Sequence, residues 1–589
     1  MKSYILPALF VCLCLLPVWG WAQESPENPF KAPGAPLNPK VDIRWNRYYD
    51  YDEIGEICKR MAEAYPDLVT LESIGLTYEE RNIWCLTITD KRIGRPNQKP
   101  GFYIDGNIHS NEIQGSEFAL YTAWYLTENF GEVKFITELL QDKVFYIVPS
   151  INPDARQNYF HEPNSANSPR GGLVPVDNDG DGLYDEDGYD DLDKNGHITM
   201  MRRRSENGRW KVDPEDNRRM IRCRPDEVGE YELLGSEGFD NDNDGRVNED
   251  GVAFSYDPNR DWGWNWQPDY IQRGAYKYPF SLPVTRAVAD FIDQHPNIAG
   301  AQTYHNSGGM ILRGPGAKED VSIYPRRDQQ VYDAIGKKGE TIIPGYRYLV
   351  LYKDLYPVYG GELDWFHAVK GVYVFSNELW TSFLLFNKKY ERGSGGSQAD
   401  YYNFDKYLLF EEAFVPWTPF QHPQYGEIEI GGFKKSFQRV DPTFILENDA
   451  HRNMAFTVYH ADQMPKLEVQ EIKVKELDKN LHEVTATVAN HRLIPTHSAM
   501  DLKNQLTRPD WVTLRLAEKS EILAGMVVIN EDFNLTEEQS YQPETIRVKN
   551  IPGMGFVKVR WIVKGDGPFL VEVNSVKGGF VAATTEPSE

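Results

Sequence analysis

The chain has 589 residues, with 88 acidic against 63 basic side chains and a formal net charge of −25. That balance argues against a nucleic-acid partner, and the length exceeds what one hydrophobic core supports, so two or three domains are expected. The charge is uneven, with nine carboxylates in residues 177–193 and five in residues 240–250.

Met1–Ala22 reads as a secretory signal. Lys2 precedes the apolar run Ile5–Trp19, and Gly20-Trp21-Ala22 puts small residues at the cleavage positions. The run is short for a membrane span, and no other stretch approaches about 18 apolar residues. Cys12 and Cys14 lack the preceding small residue of a lipoprotein anchor. The expectation is an exported chain, periplasmic or extracellular, whose mature form starts at Gln23. Cys58, Cys85 and Cys223 remain, an odd number without zinc-ribbon spacing, so at most one disulfide forms and disulfides do not define the fold.

Residues 23–40 are Pro-rich and polar, an extended leader. Helical spacing of apolar residues covers 51–65, 112–129, 284–294, 327–339 and 362–370, and strand patterns cover 67–74, 82–89, 102–105, 144–148, 298–304 and 372–376. Their alternation predicts an α/β domain over 41–465 with a buried central sheet flanked by helices. Residues 160–251 break the alternation and read as a large loop insertion. Short alternating strands at 467–474, 482–489, 511–516, 545–548, 556–563 and 569–573 predict a C-terminal β-sandwich over 466–589, with no clustered chemistry and an accessory role.

His109-Ser110-Asn111-Glu112 follows the apolar strand Gly101–Asp105. A histidine and a carboxylate three residues apart can share a metal ion as the chain leaves a strand, and a zinc centre then needs a third ligand and an open position. His305, at the end of another apolar strand, is the candidate. Asn259-Arg260 places an amide beside a guanidinium, and the segment from Tyr356 through Gly360-Gly361 leads to a strand ending in Glu378.

In this order the motifs resemble those of the zinc carboxypeptidases of the A, B and T type: His109 and Glu112, Asn259 and Arg260, His305, Tyr356, Gly360-Gly361 and Glu378. Tyr356 lies four residues before Gly360 and Glu378 eighteen after it, as in the family. Asn152-Pro153-Asp154 resembles the family's Asn-Pro-Asp-Gly turn, with Ala155 in place of the glycine. The resemblance covers roughly residues 45–460 and implies a mixed central sheet, one catalytic Zn²⁺ and a peptide substrate with a free C-terminal carboxylate.

It further implies that His109, Glu112 and His305 hold zinc, leaving a position for water, and that Glu378 is the general base. The alternative for Glu378 is an ion-paired carboxylate at a strand end. An oxyanion needs a second cation, and Arg202, which follows Met201 directly, fits better than Arg203 or Arg204. Asn259, Arg260 and Tyr356 would grip the terminal carboxylate. Leu363, at the family's specificity position, implies apolar or aromatic C-terminal residues, although Glu362 and Asp364 flank it. Asn111 stands where the family commonly has a substrate-facing arginine.

The acidic insertion has its own pattern. Asp177, Asp179, Asp181, Asp185 and Asp187, then Asp240, Asp242, Asp244, Asn248 and Asp250, place oxygens in loops with a glycine at the sixth position, and residues 191–199 form a shorter version. The alternation suits Ca²⁺. The loops resemble those of dockerins and thrombospondin repeats more than a full EF-hand, since the twelfth position lacks glutamate. The expectation is structural calcium that folds the insertion around the active-site mouth and positions Arg202. Two other readings stay open: a carboxypeptidase for cell-wall peptides with D-residues or diaminopimelate, and a calcium-stabilised binding protein with an inactive zinc site. Oligomeric state is not legible.

Overall fold

Three apolar runs, each buried along its whole length, form the spine: Gly101–Gly106, Val144–Val148 and Ile298–Asn306. Strands covered on both faces read as continuous hydrophobic segments. The computed structural model describes residues 36, 38–177, 182–243, 245, 247–248, 256–381, 386, 398–516 and 520–585. Lys40–Glu589 forms one compact unit. The expected signal and nearly all of the leader lie outside the described residues.

In chain order the strands are β1 (Val69–Leu76), β2 (Asn82–Ile88), β3 (Gly101–Gly106) and β4 (Val144–Val148), then β5 (Met200–Gly208), β6 (Trp210–Val212), β7 (Met220–Arg222) and β8 (Gly229–Ser236). There follow β9 (Ile298–Asn306), β10 (Met310–Arg313), β11 (Arg347–Val350) and β12 (Tyr373–Leu379), then β13 (Phe414–His422) and β14 (Gly426–Phe433). An eight-stranded mixed sheet runs β1-β2-β4-β3-β9-β12-β10-β11. Its centre, β4-β3-β9-β12, is parallel, and the flanking pairs β1-β2, β2-β4 and β12-β10 are antiparallel.

Local sequence explains the helices beside it. Tyr51–Ala64 opens on Asp50, which caps Glu53 N while Glu53 reaches back to the Asp50 amide, and it buries Ile54, Ile57, Cys58 and Met61 at helical spacing. Cys58 and Cys85 are buried free thiols, the first pushed up to about 12 by burial. Glu362–Lys370 ends at Gly371, whose φ of +61° closes the last turn. Among the described residues no helix is long and apolar enough to cross a membrane.

The insertion differs from expectation. Four of its strands join β13 and β14 in a six-stranded antiparallel sheet, β13-β14-β5-β8-β6-β7. Three consecutive arginines, Arg202 to Arg204, stand in β5 and glutamates alternate along β8, so the apolar alternation that marks a half-buried strand is weak. Its core is small: Met201, Ile428 and Ile430.

The last strands, β15 (Leu467–Asp478), β16 (Leu481–Asn490), β17 (Asp510–Arg515), β18 (Glu521–Asn530), β19 (Leu535–Glu538), β20 (Thr545–Val548), β21 (Gly555–Lys564), β22 (Leu570–Ser575) and β23 (Gly579–Thr584), make two sheets. Both contribute to a core that includes Val484, Val512, Trp561 and Val573, as in a β-sandwich.

Candidate active site

The site forms where neighbouring strands end. In the parallel register Gly106 on β3 pairs with Tyr304 on β9, and His305 pairs with Glu378 on β12. Three candidate residues therefore emerge together at the carboxyl edge of the sheet. After β3 the backbone turns at Asn107 (φ +59°), whose Nδ2 donates to the carbonyls of His109 (2.7 Å) and Ser110 (3.1 Å). Buried Arg156 fastens the same turn, donating to Asn107 Oδ1, Ile113 O and Ser116 Oγ.

His109, Glu112 and His305 are all buried, and their ligand atoms lie within 4.8 Å of one another. Nδ1 of each imidazole is 3.0 Å from Glu112 Oε2. Each Nε2 is anchored on another carboxylate, His109 on Asp257 Oδ1 and His305 on Glu362 Oε1, both at 2.7 Å. Outer carboxylates that turn imidazoles towards one point are the usual support of a metal centre. Two Nδ1 atoms and a carboxylate suit zinc.

Electrostatics agree with the geometry. Burial would raise Glu112, but His109, Arg170 and hydrogen bonds from both histidines hold it well below the usual carboxylate range. Asp257 is held low against burial by Arg260, His109 and Arg170. His305 is raised, the charges of Glu362 and Glu112 outweighing burial. Glu378 is shifted up, by burial first and then by Glu112. It makes no side-chain hydrogen bond among the described residues.

Asn259, Arg260, Tyr356, Leu363 and Glu378 share the wall of one cavity of about 50 Å³ with His109, His305 and Arg170. Leu312, Leu351 and Val358 complete its apolar side. Gly360, at φ +62°, brings the 356–361 loop against Arg260, whose carbonyl a Cβ would meet at 2.6 Å. Asp364 faces inward to Gly316 N (2.7 Å) and Tyr324 Oη (3.1 Å).

Two expectations are corrected. Arg202 is not at this cavity: on β5 its Nε bonds Glu429 (2.6 Å) and its guanidinium lies between Tyr231 and Trp417. A buried guanidinium needs a carboxylate and aromatic faces, and the insertion sheet supplies both. Arg203 and Arg204 serve that sheet too, through Glu232 and Tyr231. Besides Arg260, the cavity wall holds Arg170, whose Nη1 donates to Glu112 Oε1 at 2.7 Å. Asn111 is buried and donates to Ala166 O (3.1 Å), away from the cavity wall.

Sequence reasoning missed Arg170, Asp257 and Glu362. Asp257 stands two residues before Asn259, and Arg170 precedes Gly171-Gly172, where a Cβ on either would strike Tyr256 at 2.1 or 2.3 Å. That close approach sets Arg170 beside Asp257 and was the available signal.

The calcium-type loops turn back on themselves, through Gly182 N to Asp177, Gly245 N to Asp240 and Gly196 N to Asp191, and also meet one another. Asp187 from the first meets Asp240 and Asp242 from the second, and Asp191 and Asp193 of the third meet Glu237, each trio within 4.8 Å. Asp185 is exposed and accepts from Val176 N, Asp177 accepts from Gly182 N, and Asn248 N donates to Asp187. Asp179, Asp181, Asp244 and Asp250 lie outside the described residues.

An α/β sheet carrying a two-histidine, one-carboxylate centre defines the class, a mononuclear metal site at a strand edge. A family model described as zinc carboxypeptidase matches residues 54–179 and 187–392, and the chain belongs to that family. A second model, a domain of unknown function, matches residues 466–586. Similar proteins include carboxypeptidase D of Anas platyrhynchos, 32% identical over 132 residues, 22% of this chain and 9% of that one. Carboxypeptidase B of Astacus astacus is 35% identical over 112 residues, 19% of this chain and 34% of its own. The matches thus span only these minor shares of the relatives. Among solved structures, carboxypeptidase A from Helicoverpa armigera aligns with a TM-score of 0.41 at 16% identity, covering 72% of this chain and 76% of that one.

Proposed function

We propose that the chain is an exported zinc metallocarboxypeptidase that hydrolyses the last peptide bond of substrates with a free C-terminal carboxylate. One observation carries the reading: His109, Glu112 and His305 converge on a cavity whose wall also holds Glu378, Asn259 and Arg260. Zinc held by the three would polarise the scissile carbonyl and acidify an attacking water. Glu378, raised by burial and Glu112, takes the water's proton and returns it to the leaving amine. Arg170, in place of Arg202, offsets charge on the carbonyl oxygen as the bond breaks.

Arg260 and Asn259 bind the terminal carboxylate, and the half-exposed Tyr356 adds its phenolic hydrogen. Leu363 lies with Leu312, Leu351 and Val358, while Glu362 is engaged by His305 and Asp364 faces away. That favours apolar or aromatic C-terminal residues. The test is a mixed peptide library with released residues read by mass spectrometry. Phe and Leu should appear before Lys and Arg, and Glu378→Gln should stop release while retaining zinc. Undiminished release by that variant would sink the assignment.

Calcium is assigned a structural role at the Asp187–Asp240–Asp242 and Asp191–Asp193–Glu237 trios. Glu237 is pushed up to about 7 by burial, the mark of a carboxylate short of positive charge. Such ions would brace the insertion sheet. EGTA should lower Tm while zinc stays bound, and purified protein devoid of calcium would defeat the assignment.

A further inference from the structure

We propose that Arg439 and the aromatic cavity it borders form a subsite for the peptide upstream of the cleaved bond, taking an aromatic side chain two or three residues before that bond. This rests on the carboxypeptidase reading and deepens it.

Arg439 lies against the metal-ligand cluster from a distant part of the chain. Its Nη2 donates to Asn306 O at 2.8 Å, one residue after His305, and sits 3.7 Å from Glu112 Oε1. The residue holds φ at +63°, a left-handed conformation that a side-chain-bearing residue adopts rarely and only where its surroundings hold it. Its Nε is buried without a partner, while the side chain as a whole is 35% exposed. Donors left short beside a reaction centre suit the carbonyl oxygens of a bound peptide.

Arg439 does not line the cavity that holds Asn259, Arg260 and Leu363. It borders another, of about 310 Å³, with Tyr401, Tyr402, Phe404, Phe433 and Phe437. The terminal residue occupies the first cavity, so the rest of the substrate leaves past Glu112 on another side, where Arg439 stands. An extended chain advances about 3.3–3.6 Å per residue, so the roughly 7 Å reach of an arginine covers two residues. The ring-rich walls favour an aromatic occupant through edge and offset-stacked contacts, and the volume falls in the range of small-ligand pockets.

The test uses Gly/Ala hexapeptides ending in Leu, with one Phe moved through the four positions upstream, and a blocked dipeptide too short to reach the cavity. Phe at the second or third upstream position should raise kcat/KM about tenfold, mainly through KM. The ratio of hexapeptide to dipeptide kcat/KM should fall about tenfold in Arg439→Ala and in Tyr401→Ala, and Arg439→Lys should restore part of it. Because it is a ratio, loss of folded protein does not imitate the effect. Rates indifferent to the position of Phe would overturn the subsite and leave the carboxypeptidase reading standing. Release from no peptide at all would overturn both.

Discussion

Two clusters of buried charge sit at opposite ends of one helix, Glu362–Lys370, and they are finished differently. At its start, Glu362 holds His305 beside Asn259 and Arg260, and both Glu362 Oε2 and Arg260 Nε are buried without partners. At its end, Lys577 from the C-terminal sheets donates to the carbonyls of Lys370 (2.6 Å) and Gly371 (2.9 Å) and lies 3.5 Å from Asp501. Asp328 accepts from Ala499 N, Met500 N and Tyr373 Oη, and His497 lies between Asp501 and Asp510. The junction charges Lys577, Asp328, Asp501 and His497 find partners within the chain, although His367 Nε2 beside Asp328 makes no hydrogen bond among the described residues. The charges at the cavity retain unused hydrogen-bonding capacity, the condition expected of groups awaiting a ligand. The sandwich is therefore bonded directly onto the helix that lines the cavity.

The largest test of this contrast is Lys577→Met. Removing one member of a buried charged group costs about 3–5 kcal/mol. Calorimetry should show a clear fall in Tm, with kcat per folded molecule on a short peptide unchanged. An unaltered Tm would show that the junction holds nothing. The cavity should respond in the opposite way. Arg170→Ala should lower kcat/KM by about 10²–10³ with little change in Tm, whereas Arg202→Ala should lower Tm and spare kcat. Equal kinetic losses in both arginine variants would reinstate Arg202.

A pH series separates the clusters again. His497 is raised to about 9, its two aspartates outweighing burial, and Asp501 is held low by His497 and Lys577 against burial. The raised histidine stabilises the fold fully below its ordinary value of about 6.5, and that contribution, up to about 3 kcal/mol, fades as pH climbs through 9. The lowered aspartate stabilises above about 3.9 and less as pH falls further. Stability from this junction should therefore peak between about pH 4 and 6.5, and His497→Gln should flatten the alkaline limb of a Tm-against-pH curve. The smallest effect is expected from Asp257→Asn, which should weaken zinc binding about 10–100-fold in a chelator competition.

Legibility in the sequence followed how local each cause was. His109, His305 and Glu378 end apolar strands, and strand ends are visible as runs of Val, Ile and aromatic residues. Asn259 and Arg260 are adjacent, so their pairing needs no tertiary knowledge. Arg170 was hidden because its role depends on where the insertion starts, and the Arg202–Arg204 run drew attention to residues that stabilise another sheet. Asp187 meeting Asp240 and Asp242 is a contact across more than fifty residues, invisible to a pattern that treats each loop alone. Strands β5 to β8 are hidden in the sequence because β5 carries three consecutive arginines, β6 and β7 span three residues each, and the glutamates of β8 leave little apolar signal.

The pairing of His305 with Glu378 across β9 and β12 has a consequence for how this protein can change. Side chains alternate faces along a strand, so a one-residue slip between these neighbours would send Glu378 to the wrong side of the sheet. The spacing between ligand and carboxylate is thus a reading taken on a ruler whose marks are backbone hydrogen bonds. Variation can reach the apolar side of the cavity and the inserted sheet, but the alignment itself is inherited through the apolar packing of the buried Val374, Phe375 and Ala301.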